Sequence, residues 1–105
     1  MTNVAGETQS SRADLWAQRL RPPERVLTRE LDGEAVLLNL DSGQYFGLDK
    51  VGTRMWAALS SAPSIEAAFT TLCGIYDVEA SQLKRDLKTL IEALEAHGLA
   101  AFHDA

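Results

Sequence analysis

The chain predicts an α+β fold of element order βββααα, a three-stranded antiparallel sheet packed on three helices. Three observations lead there. Two β-rich runs, RVLTREL and EAVLLNL, flank Asp32-Gly33, and Asp-Gly is a strong signal for a two-residue hairpin turn because both positions there need positive φ. A second turn, Asp41-Ser42-Gly43, is followed by QYFGL, short enough for one more strand. From Asp49 onward the apolar residues change period, recurring at helical spacing in three separate runs.

A meander of three strands is stable only when one face is covered, and the helical runs supply the cover. Asp49 is placed to cap the first, in which Val51, Met55, Trp56 and Leu59 follow at helical spacing. Ala62-Pro63-Ser64 breaks the chain, and Ser64 is the next cap. Ile65, Ala68, Phe69, Leu72, Cys73 and Tyr76 then fit an amphipathic template, which predicts a buried Cys73. After a turn near Asp77, the third helix carries Leu83, Leu87, Leu90, Ile91 and Leu94 as its stripe. Gly98 stands where a left-handed residue ends a helix, after His97 in the last turn, and Leu99 and Phe102 are expected to fold back on the core.

Residues 1–24 read as an N-terminal arm and residues 25–105 as the domain. The first eleven residues are small and polar, so disorder is expected, and RADLWAQRLR (12–21) is compatible with a short helix. Pro22-Pro23 ends any such helix, because proline lacks the backbone donor and disfavours the α region in its predecessor.

With 105 residues and 46% hydrophobic content, the chain can build one core without disulfides. It has no apolar run near the roughly 18 residues that a membrane span needs, no apolar signal-peptide middle near its start, and a single cysteine. A cytoplasmic location is expected. Residues 32–105 hold five Lys/Arg against eleven Asp/Glu, whereas residues 1–31 hold five against four. An acidic domain repels a phosphate backbone, so nucleic acid is a poor partner.

No catalytic constellation is present. The phosphate loop, the dinucleotide fingerprint and the serine elbow are absent. Cys73, His97 and His103 lack the ligand spacing of a zinc site. His97 reads as a surface residue facing the helix dipole. Glu92 and Glu95 read as solvated, and Asp41 and Asp49 as turn and cap residues. No catalytic residue, metal or cofactor is expected, and the chain is not expected to be an enzyme.

The run LLNLDSGQYFGLDKVGTRMW resembles the PqqD family of peptide chaperones, through Leu38, Leu40, Gly43, Tyr45, Leu48, Gly52 and Trp56 at their present spacing. Asp86 and the closing Gly98-Leu99 also match, and Asp49 stands where the family often has Asn. The resemblance covers about residues 25–102. It implies a winged-helix-like domain without activity of its own, which binds the leader segment of a ribosomally made precursor peptide and presents it to maturation enzymes. The wording is most similar to the stand-alone lasso-peptide members, whose partners are a leader peptidase and a macrolactam synthetase. The pyrroloquinoline quinone members serve a different modifying enzyme.

A strand that ends a meander leaves one edge unpaired, and an extended peptide can add there as a further strand. The family implies a groove between the third strand and the third helix. Gln44, Tyr45, Phe46 and Gly47 are therefore the candidate pairing edge, with Tyr45 and Phe46 on opposite faces so that only one is core. On the helix, Leu87 and Ile91 are candidates for the groove floor, with simple packing as the competing reading. Lys84, Arg85 and Lys88 are candidates to meet acidic leader residues, or else a solvated face. Trp56 reads as structural. Two other functions stay open: a winged-helix DNA-binding regulator, disfavoured by the acids on the third helix, and a scaffold whose edge pairs with a second copy. A homodimer is compatible with the sequence without being required by it.

Overall fold

The computed structural model describes residues 15–104. The disorder expected for residues 1–11 lies outside them. A single 3-10 turn, Leu15–Ala17, precedes strand β1 (Gln18–Arg21); then come β2 (Val26–Leu31), β3 (Glu34–Asn39) and β4 (Tyr45–Leu48). Helices α1 (Lys50–Ser61), α2 (Ile65–Ile75) and α3 (Ala80–Ala96) follow, and β5 (Ala101–Asp104) closes the chain. The meander β2-β3-β4 is antiparallel throughout, in the predicted order. Its first turn takes the left-handed backbone at both positions, Asp32 at φ 56° and Gly33 at φ 81°.

Alternation in β3 and β4 decides what faces the helices. Ala35, Leu37 and Leu48 are buried on the inner face, beside half-buried Phe46. Met55, Trp56 and Leu59 of α1, Ile65, Ala68 and Leu72 of α2, and Leu83, Leu87, Ile91 and Leu94 of α3 complete the core. Burying a side chain of this size stabilises by about 1.5–3 kcal/mol, which makes these stripes the main support of the fold. The caps form as expected: Asp49 accepts from Gly52 N–H at 2.7 Å and Ser64 from Ala67 N–H at 3.1 Å. Gly98, at φ 67°, ends α3.

Two expectations fail. The segment 12–21 is not a helix where it is described, but a 3-10 turn running into β1, which pairs with β5 from Gln18↔Asp104 to Arg21↔Ala101. Its inward residues alternate, with Trp16 and Gln18 half-buried and Leu20 3% exposed. That is the two-residue period of a strand, and its partner lies some 80 positions away in sequence, where local reading cannot find it. Cys73 is exposed rather than core. Eight residues make slightly more than two helical turns, so Cys73 has drifted off the face of Ile65 while Leu72 lies close beneath it.

Candidate functional site

Hydrogen-bond alternation identifies the free backbone groups of β4. Asn39 N–H donates to Gln44 O at 2.8 Å, and on the other side Leu40 N–H donates to Arg25 O at 2.8 Å. Odd residues of β3 therefore direct their backbone groups at β4 and even residues at β2. With Leu37 opposite Phe46 and Ala35 opposite Leu48, the backbone groups of Tyr45 and Gly47 point outward, to an edge with no strand beside it among the described residues. At Gly47 an added Cβ would have nothing within 4 Å, so the outer sheet face is open there.

The inner end of the β3–β4 ladder is completed by a side chain. Buried Thr53 accepts from Ala35 N–H at 2.8 Å and donates to Leu48 O at 3.3 Å. Its hydroxyl thereby ties the start of α1 to both strands.

Beside the edge runs a groove with a cavity volume of about 320 Å³. One wall is Phe46 with the start of α1: Asp49, Val51, Gly52 and Met55. The other is a flank of α3: Asp86, Thr89, Leu90 and Ala93. Phe46 packs against the His97 ring, with centroids 5.1 Å apart. His97 Nδ1 lies 2.8 Å from Ala93 O, and since a carbonyl only accepts, Nδ1 carries the proton in that bond. Asn39 braces the same end. Its amide donates to Gly98 O at 2.8 Å, while its oxygen accepts from Asp41 and Ser42 N–H at 2.9 and 3.2 Å. The turn before β4 is thus tied to the end of α3, which sets the spacing of the two walls.

The groove is apolar with two carboxylates and no cation in its lining. One Asp49 oxygen is engaged in the cap, and Asp86 Oδ1 accepts from Gln82 Nε2 at 2.9 Å. Such a lining suits apolar groups, with hydrogen-bond donors at its rim.

The residues expected at this site separate into three places. Gln44, Tyr45, Phe46 and Gly47 do form the edge region, with Gln44 just before the strand. Phe46 is the aromatic that lines the groove, whereas Tyr45 is 73% exposed on the opposite sheet face. Leu87 and Ile91 are 0% and 1% exposed, packed in the core and absent from the groove surface. The floor falls to Leu90 and Ala93, on the side of α3 turned toward β4. Lys84, Arg85 and Lys88 sit on the other flank of α3, around Trp16. Of the lining, sequence reading had only Phe46 as a site residue; it missed Val51, Met55, Thr89, Leu90 and Ala93, and took Asp49, Gly52 and Asp86 only as cap or motif positions. Val51 carried a signal, being apolar at the first turn of a helix, where little else covers it, and it is 45% exposed.

The chain belongs to the PqqD family: the model described as coenzyme PQQ synthesis protein D matches residues 34–100. The match spans β3, β4, all three helices and the braced end of α3, and begins after β2. Two solved structures share the fold. "TbiB1 in Complex with the TbiA(beta) Leader Peptide" is 35% identical, with a TM-score of 0.71 over 76% of this chain and 93% of that one. "Lasso peptide synthetase B1 complexed with the leader peptide" is 25% identical, with a TM-score of 0.71 over 79% of this chain and 98% of that one. No curated protein matches the chain.

Proposed function

We propose that this chain binds the leader segment of a ribosomally made precursor peptide by strand addition along β4, and presents it for maturation to a lasso peptide. The carrying observation is the outward backbone of Tyr45 and Gly47 beside a ready-made apolar groove. Main-chain bonds at the edge supply affinity, and alternate leader side chains entering the groove supply selectivity. Phe46, Leu90 and Ala93 take apolar leader side chains, while Asp49 and Asp86 favour a leader residue with an N–H, O–H or positive charge.

Both similar structures are complexes with a leader peptide, and the second is of a lasso peptide synthetase, which favours that product class over the quinone cofactor for which the family model is named. The partners in this reading are a leader peptidase and a macrolactam synthetase, and the chain contributes binding while they contribute chemistry. A DNA-binding role is disfavoured by the chain's net charge of −5.

The test is fluorescence anisotropy with a labelled leader peptide encoded beside this gene. Saturable binding at about micromolar or tighter, near −8 kcal/mol, weakened by Phe46→Ala and by Leu90→Lys in folded variants, supports the reading. Absence of binding by the native protein to every neighbouring precursor, with or without the partner enzymes, sinks it.

A further inference from the structure

The turn Lys84-Arg85-x-x-Lys88 is left unexplained by the groove, because it lies across α3 from Asp86, Thr89, Leu90 and Ala93. There it forms a second cavity, also of about 320 Å³, with Trp16 and Ser81. Trp16 is held edge-on against Phe69, with centroids 6.0 Å apart at 66°. Lys84 Nζ stands 4.9 Å from the centre of the indole. Arg85 donates one guanidinium N–H to Gln82 Oε1 at 2.8 Å, which leaves its remaining donors available.

Three cations in one turn repel one another, Lys84 and Lys88 at the i, i+4 spacing where like charges destabilise a helix. Eleven acids against five bases in residues 32–105 offer ample carboxylates to neutralise them. Yet the ion pair found among the described residues is Arg25 with Asp41, away from this turn. The cluster therefore stands as a local positive field on an acidic molecule, and it surrounds an aromatic surface that apolar groups can cover.

We propose that this pocket is a second docking site, which takes an acidic segment of a partner protein carrying an apolar side chain. Carboxylates of the segment would meet Lys84, Arg85 and Lys88, and its apolar side chain would lie on Trp16 and the lysine stems. A peptide on the β4 edge occupies the opposite flank of α3, so both sites fill at once. The chain then has separate grips for a peptide and for a protein that acts on it. A nucleic acid is the poorer occupant, since a long polyanion would extend past three cations onto the acidic remainder.

The full chain is titrated into a fluorescein-labelled peptide of Glu-Glu-Leu repeats, beside a Gln-Gln-Leu repeat as control, while the Trp16 indole N–H resonance is followed. The proposal expects saturable binding of the acidic peptide alone, with a shift of the Trp16 signal. Lys84→Glu with Lys88→Glu should weaken it at least about tenfold, and Arg85→Gln less, with unchanged circular dichroism and unchanged leader affinity. Saturating leader should leave it intact. The proposal is overturned by no binding, by equal binding of the Gln-Gln-Leu peptide, or by displacement with leader. Binding seen only after removal of residues 1–14 also overturns it, because the chain itself would then be the occupant. Because leader binding is measured separately in the same variants, failure here leaves the leader reading untouched.

Discussion

Leu87 and Leu90 sit one helical turn apart on α3 and answer to different demands. Leu87 is 0% exposed among core side chains, whereas Leu90 is half-buried and lines the groove. Leu87→Ala should therefore lower the stability by about 2–5 kcal/mol, read from urea unfolding. Leu90→Lys should cost about 1 kcal/mol or less yet impair leader binding in an anisotropy titration. The reverse pattern would place the groove on the wrong flank. Thr53 is a second residue with a sharp expectation. Thr53→Val keeps the shape but leaves Ala35 N–H without its 2.8 Å acceptor. An orphaned buried donor costs about 1–3 kcal/mol, and a loss well under that range would mean that water or Leu48 O replaces the hydroxyl.

At the scale of elements, the proposed strand addition rests on β4. The Gly47 N–H points away from β3, so Gly47→Pro removes an outward donor and no ladder bond. Leader affinity should fall more than tenfold while the far-ultraviolet circular dichroism stays native. If affinity survives, the peptide does not add as a strand at this edge. Helix α3 shows how far the sequence carries an argument about a face. Its stripe of Leu83, Leu87, Leu90, Ile91 and Leu94 was legible from spacing, and four of the five are buried. Which residues beside that stripe meet β4, and which meet Trp16, depends on what packs against each flank, and spacing within one helix holds no information about that.

Across the whole molecule, residues 15–21 belong to the fold. Leu20 is 3% exposed, and β1 holds the last strand, β5, through four paired positions. Leu20→Ala should cost about 2–5 kcal/mol, and removal of residues 1–22 should lower the urea midpoint further by unpairing β5. A truncated chain as stable as the whole would show that the β1–β5 ribbon contributes nothing to the core. The same segment delivers Trp16 to α3, so the second pocket should vanish with it.

By itself the sequence determined the meander, its turns, the three helices and their caps, because each rests on residues within a few positions of one another. Asp32-Gly33 needs only its own backbone to turn, and Asp49 only the N–H of Gly52. The resemblance in LLNLDSGQYFGLDKVGTRMW likewise pointed to β4 as the candidate pairing edge. The tertiary structure alone decided the pairing of β1 with β5, the exposure of Cys73, and the division of α3 into an acidic-apolar flank and a basic-aromatic one. Those outcomes depend on contacts between residues far apart in the chain, and a local period states that a face is buried without naming what buries it.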